Sequence, residues 1–265
     1  MTALADPAAR IAIVSAMHEE LRALLPLLRD VRRIDRAGRA FHCGSLHGRP
    51  VVLVLSGIGK VAAGATVAVL ASEFAPAALL FTGVAGGLAD GVKVGDLVLA
   101  RELLQHDLDA SPLFPRYEVP LTGRSRFGAD GALSDRLAAA ARQLLADPAR
   151  AIGADHLAEF GIAAPRLHEG LVISGDRFVA KAAESNALRA ALPDALAVEM
   201  EGAAVAQVCA DFGLPFALLR VISDRADDSA HVDFLAFTRE VASVLTRLVV
   251  GAALGSAGAG PPQAG

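Results

Sequence analysis

Tryptophan is absent from the 265 residues, tyrosine occurs once, and there are only 2 cysteines and 3 methionines. Cys43 and Cys209 lie far apart and outside any CxxC pattern, which excludes a disulfide framework and a cysteine-built zinc site. No uninterrupted apolar run approaches the roughly 18–20 residues that a membrane helix needs. Charge of one sign is missing too: 25 Lys+Arg stand against 29 Asp+Glu, a formal net charge of −4, so there is no excess of basic residues for nucleic-acid phosphates. The opening MTALADPAAR has no basic segment ahead of an apolar core, unlike a signal peptide. What remains is apolar but ordered, 54% hydrophobic and 20% charged, with a mean hydropathy of +0.46. That composition points to a cytoplasmic globular protein with no membrane or nucleic-acid partner.

Short apolar runs alternate with helical patterns along most of the chain, the signature of an α/β sheet protein. The runs predict strands at 11–16, 78–82, 96–104, 170–174, 195–200 and 216–223, and a hairpin from 41–46 and 51–56 around His47-Gly48. Helices are expected at 19–29, 60–74, 134–145, 180–192, 201–212 and 232–254. The stretch 106–128 has several prolines and no clear period, and a loop that long is more often functional than idle. An irregular segment is expected through 165. No internal linker or repeat is evident, so one domain at 11–254 is expected, between a short tail at 1–10 and a Gly/Pro-rich, disordered tail at 255–265.

Ligands of open α/β sheets sit beyond the carboxyl ends of the strands. There the sequence places Met17-His18-Glu19-Glu20, the cluster Gly83-Val84-Ala85-Gly86-Gly87, Asp176 with Phe178, Met200-Glu201 and Ser223-Asp224. Carboxylates with an aromatic and flexible glycines make an acid/base constellation around a flat polar ligand. A Glu at a helix start can be merely a dipole partner, but Glu201 sits between an apolar strand and an Ala-rich helix, where burial without a partner is expensive. Gly57-Ile58-Gly59-Lys60-Val61-Ala62 formally matches the dinucleotide fingerprint, yet the next strand ends Phe81-Thr82-Gly83 without the ribose-binding acid. These glycines read as a tight strand-to-helix turn. His106-Asp107-Leu108-Asp109 is a weak metal pattern that reads better as a solvated strand end, and no GxSxG elbow is present.

AMHEE at 16–20, SGIGKVAA at 56–63, GVAGGL at 83–88, VGDLV at 94–98, HDLD at 106–109, VISGDRFV at 172–179, VEMEGAAVAQVC at 198–209 and RVISDRAD at 220–227 occur in that order. Together they resemble the bacterial 5′-methylthioadenosine/S-adenosylhomocysteine nucleosidases of the purine nucleoside phosphorylase superfamily. The resemblance implies a twisted mixed β-sheet flanked by helices, a homodimer, and hydrolysis of an N-ribosidic bond without metal or cofactor. Carried over position by position, it makes Glu20 the base that activates water. Asp224 becomes the acid that protonates the departing adenine, oriented by Ser223. Met200 and Glu201 would hold the ribose, with Arg220 nearby; Phe178 would stack on the purine and the backbone of Val179 would read its edge. Ala85 and Gly86 complete the substrate-binding set. The neighbouring subunit would line the pocket for the 5′ substituent. Val84 departs from the family, many members of which have serine there, and an apolar side chain removes a hydrogen bond worth about 1 kcal/mol.

The chemistry agrees with these types. Breaking a ribosyl–adenine bond builds positive charge on the sugar and negative charge on the leaving purine, so it needs an acid, anionic groups and a placed water. Burial and neighbours such as Asp227 or Asp228 would raise the pKa of Asp224 into the useful range. A phosphorylase would want cationic donors where the nucleophile enters, whereas the first strand-to-helix turn carries Glu19 and Glu20, and Arg22 falls on a different helix face. A non-catalytic nucleoside-binding protein is the alternative of another class, and it would be expected to lack one of the three carboxylates.

Overall fold

A computed structural model describes residues 8–226 and 234–255. In chain order the elements are β1 (Ile11–Ser15), α1 (His18–Leu21), β2 (Arg29–Arg36), β3 (Arg39–Leu46), β4 (Arg49–Leu55), α2 (Lys60–Val69), β5 (Ala78–Gly87), β6 (Leu97–Gln105) and β7 (Arg126–Gly128). There follow α3 (Gly131–Leu145), α4 (Pro148–Ile152), α5 (Ala154–Glu159), β8 (Leu167–Ser174), α6 (Ala182–Ala191), β9 (Ala195–Glu199), α7 (Gly202–Phe212), β10 (Phe216–Asp224), α8 (Phe234–Phe237) and α9 (Ser243–Gly255). All ten strands form one mixed sheet. β1 lies between β4 and β5, parallel to both, and all five of its residues are buried. A strand covered on both faces carries apolar side chains at every position, which is why IAIVS shows no alternation.

Successive residues along these strands feed opposite faces. Ile11, Ile13, Val51, Leu53, Leu80 and Leu219 pack with Leu137, Leu245 and Val249 from α3 and α9. Their neighbours Ala12, Val14, Val52, Val54, Leu79 and Leu218 pack with Ala63 and Val67 of α2 and Val205 and Cys209 of α7. The sheet is therefore flanked by helices on both sides. It also closes on itself: β5 pairs with β10, β10 with β6, β6 with β8, β8 with β9, and β9 returns to β5 through Gly86–Val198 and Gly87–Ala197. β1, β4, β3 and β2 extend from this ring as an open wing. Among the described residues no helix is long and apolar enough to cross a membrane.

Two expectations are corrected. The helix foreseen at 19–29 stops after one turn at Leu21, followed by a tight turn at Leu25–Leu27. An α-helix could not run on to 29 in any case, because Pro26 has no N–H to donate to the carbonyl four residues back. From Arg29 the chain enters β2, whose charged sequence RDVRRIDR hid it because this outer strand is exposed along most of its length. The irregular stretch before 165 contains the short helices α4 and α5. The start of the last helix at 232 and the tail from 256 onward lie outside the described residues, while Gly255 still belongs to α9.

α7 starts against the ring with no room for a side chain at its first residue. A Cβ on Gly202 would collide with Leu218, and would lie 2.8 Å from Leu103 Cδ2 and 3.2 Å from Glu199 Oε1. Gly202→Ala is therefore expected to lower stability by about 1–3 kcal/mol, read as a fall of several degrees in Tm. An unchanged melting curve would show that α7 can shift away from the ring at no cost.

Candidate active site

The carboxyl ends of β1, β5, β8, β9 and β10 converge on one cavity, the place where open α/β sheets bind ligands. Glu20, Ala85, Gly86, Phe178, Val179, Met200, Glu201, Ser223 and Asp224 all line it. Of the ten residues that the resemblance assigned to the site, Arg220 alone stands behind the wall, 1% exposed, while His18, Glu19 and Asp176 from the strand-end set are not among the lining residues. Ile58, Arg177, Val198, Glu199 and Phe234 also line the cavity and were not foreseen. Val84 is on the wall as well, buried and part of the apolar core behind it.

Glu20 is held by backbone alone. Its Oε2 accepts from the N–H groups of Ala16 at 2.8 Å and Met17 at 2.9 Å, and its Oε1 from Val84 at 3.0 Å. Burial pushes its pKa up, against the opposing pull of Arg220 and these N–H donors. The approach is close: a Cβ on Gly83 would lie 2.5 Å from Glu20 Oε1 and 2.7 Å from Arg220 Nη1, so only glycine fits. Across the cavity, Asp224 Oδ2 accepts from Ser223 Oγ at 2.8 Å and Oδ1 from the Ala226 N–H at 2.8 Å. Asp227 and Asp228, expected to tune this acid, lie outside the described residues. Phe178 presents a 43% exposed ring and meets Phe234 edge-on at 6.0 Å.

Glu199 is the residue that sequence reasoning missed. It ends β9 and accepts from Ser174 Oγ, from the Gly202 N–H with both oxygens at 2.9 Å, and from Arg220 Nη2 at 2.5 Å. The Ser174 hydroxyl in turn accepts from the Ala203 N–H at 2.7 Å, so the start of α7 is tied to β8 and β9 together. Arg220 lies with its guanidinium 4.2 Å over the Phe81 ring and 3.8 Å from Glu201 Oε2. One buried cation thus serves three carboxylates, Glu20, Glu199 and Glu201. A signal was available: an Arg inside LLRVIS and two Glu inside AVEME are opposite charges in apolar strands, which must be paired when buried.

Glu201 feels the surplus. Burial, then the charge of Glu199, pushes its carboxyl up to about 8, against the pull of Arg220 and of the Gly59 N–H, which donates to Oε1 at 2.8 Å. The glycine turn after β4 therefore belongs to the site, with Gly57 and Gly59 both at positive φ. Among the described residues no group of three or more His, Cys, Asp and Glu side chains could hold a metal ion. Asp107 instead accepts from Lys60 Nζ.

A mixed sheet partly closed into a ring, with buried carboxylates around a cavity at its strand ends, defines a protein of the nucleoside phosphorylase-like α/β class. Residues 10–253 match the family model described as the phosphorylase superfamily. The chain belongs to that superfamily and, within it, to the 5′-methylthioadenosine/S-adenosylhomocysteine nucleosidases. A nucleosidase so named from Anoxybacillus flavithermus is 36% identical over 239 residues, covering 90% of this chain and 95% of the relative. The crystal structure of the Neisseria meningitidis nucleosidase in complex with methylthio-immucillin-A superimposes with a TM-score of 0.81 at 34% identity, covering 94% of this chain and 99% of that one. A Helicobacter pylori structure described as a futalosine hydrolase mutant gives 0.78 at 32% identity, over 92% and 98%.

The raised pKa of Glu201 has a consequence for stability. Its folded value near 8 exceeds the ordinary 4.5, so the folded state retains a proton that the unfolded state releases between those values. The resulting penalty is absent below the lower value and complete above the upper one, and stability falls as pH rises across the window. Glu201→Gln removes the ionisation. The variant is expected to melt close to the wild type near about pH 5 and several degrees above it near about pH 9. A Tm difference independent of pH would mean that Glu201 is ionised throughout.

Proposed function

We propose that this chain hydrolyses the N-ribosidic bond of 5′-methylthioadenosine and S-adenosylhomocysteine, releasing adenine and the thioribose product in methionine salvage in the cytoplasm. The carrying observation is the placement of three carboxylates round one cavity: Glu20 and Asp224 at separate strand ends and Glu201 between them in chain order, with Glu199 also on the wall and Arg220 behind it. In this reading Glu20 takes a proton from the attacking water, and burial, which raises its pKa, makes the carboxylate a stronger base than one in water. Asp224, oriented by Ser223, gives a proton to the departing adenine, so the purine leaves without a full negative charge. Glu201 and Met200 hold the ribose, Glu201 through its hydroxyls, and the surplus negative charge of the carboxyl cluster favours the positive charge that develops on the sugar. Phe178 offers its open face to the purine, the Val179 backbone reads the purine edge, and Ala85 and Gly86 floor the pocket.

Water rather than phosphate is the nucleophile in this proposal. The Ala16 and Met17 N–H groups that could cradle an anion are already occupied by the Glu20 carboxylate, and a phosphate brought there would meet negative charge. Nor is any of the three carboxylates missing, as a binding-only protein would allow.

The active unit is proposed to be a homodimer whose neighbouring subunit lines the pocket for the 5′ substituent. In support, Ile58 lines the cavity yet is 58% exposed, and Val61, in the first turn of α2, is 83% exposed. Apolar side chains so bare beside a site favour a covering partner. Sedimentation is expected to give twice the chain mass for the wild type and a single-chain mass for Val61→Asp; a monomeric wild type would overturn the dimer.

The reaction is tested by incubating the protein with 5′-methylthioadenosine or S-adenosylhomocysteine in phosphate-free buffer and following adenine release. The wild type should release adenine, and Asp224→Asn, which keeps the shape but removes the transferable proton, should lose at least about a hundredfold in kcat. Release that required phosphate would make the chain a phosphorylase, and a near-normal Asp224→Asn rate would assign the acid elsewhere.

A further inference from the structure

Outside the cavity, three loops are joined by a circuit of charge that the chemistry above leaves unused. Lys60 Nζ donates to Asp107 Oδ1 at 2.5 Å, the Asp176 N–H donates to Asp107 Oδ2 at 2.8 Å, and the Lys60 N–H donates to Asp176 Oδ1 at 2.7 Å. The circuit closes on itself and ties the first residue of α2 to the loops after β6 and β8. It is packed as well as bonded: the His106 ring lies against Gly175 where any Cβ would collide. Asp176 Oδ1 likewise lies 3.1 Å from where a Cβ on Gly59 would be. The Lys60 and Asp107 side chains are only 16% and 32% exposed, so solvent and salt screen their attraction less than on an open surface.

One residue before Lys60, the Gly59 N–H donates to Glu201 Oε1. Glu201 is thus drawn two ways, toward Gly59 through Oε1 and toward Arg220 through Oε2, 3.8 Å away. Were the turn to drift outward, the guanidinium would win and the carboxylate would rotate back toward the interior. We propose that Lys60, Asp107 and Asp176 are positioning residues whose circuit fixes the Gly57–Gly59 turn and thereby aims the Glu201 carboxylate at the sugar hydroxyls. The proposal rests on the reading of Glu201 as the ribose-holding group. It also gives a use to Lys60, His106-Asp107 and Gly175-Asp176, which none of the catalytic roles had absorbed.

The test compares kcat/KM for 5′-methylthioadenosine with that for its 2′- and 3′-deoxy analogues, in the full-length wild type, Glu201→Gln, Asp107→Asn, Lys60→Met, Lys60→Arg and the Asp107→Asn/Lys60→Met double variant. Glu201→Gln sets the scale by narrowing the preference for the hydroxylated sugar. Asp107→Asn and Lys60→Met are each expected to lower kcat/KM about tenfold on the ribosyl substrate while leaving the deoxy analogues nearly untouched. The double variant should lose no more than either single one, because one circuit is broken only once, and Lys60→Arg should recover most of the loss. A uniform loss on ribosyl and deoxyribosyl substrates, or additive single effects, would overturn the positioning role. Narrowing in Glu201→Gln but in neither circuit variant would overturn the circuit alone. An unchanged preference in Glu201→Gln would overturn the ribose reading and the proposal with it.

Discussion

The structure depends on one guanidinium. Arg220 is 1% exposed, sits over the Phe81 ring and feels the carboxyl groups of Glu20, Glu199 and Glu201. A charge so far from water persists only when paired, and removing one partner leaves the others uncompensated. Here the balance is unequal, one cation against three acids, and the difference is reduced by holding a proton on Glu201. Burial raises both Glu20 and Glu201. The site is therefore an electrostatic reservoir in which an incoming developing cation takes the role of the missing positive charge, the requirement of the proposed hydrolysis.

Closure of the sheet is what brings these groups within reach of each other. β9 turns back to touch β5 at only two positions, Gly86 and Gly87. Gly86 has no room for more: a Cβ would lie 2.9 Å from Ala226 and 3.0 Å from Asp224 Oδ1. Glu199 then works on both sides of the seam, holding Arg220 from one strand and the first N–H of α7 from the next. Fold and site are here the same set of hydrogen bonds, so substitutions at the seam affect stability and geometry together.

The sequence pattern made most of this legible, for identifiable reasons. Strands buried on both faces announced themselves as uninterrupted apolar runs such as VVLVL, and of the ten residues that the family resemblance assigned to the site, nine line the cavity. The misses have physical causes. β2 is an exposed edge strand with no apolar face to reveal it, and the helix after β1 was overextended across Pro26. Arg220 and Glu199 form a pair through sheet closure, between strands 21 residues apart, a contact that periodicity alone does not specify. The role of Gly59 rests on a backbone N–H, which no side-chain motif records.

The closed ring leaves the sheet two free margins among the described residues, the three-residue β7 and the eight-residue β2. β2 is long enough to recruit another chain, and its unpaired backbone would ordinarily invite that. Four arginines occupy its eight positions, and two copies brought margin to margin would set like charges against each other. The residues that concealed the strand from pattern reading thus also guard it against runaway strand-to-strand stacking. Because that guard is electrostatic, it thins as added salt shortens the range of repulsion.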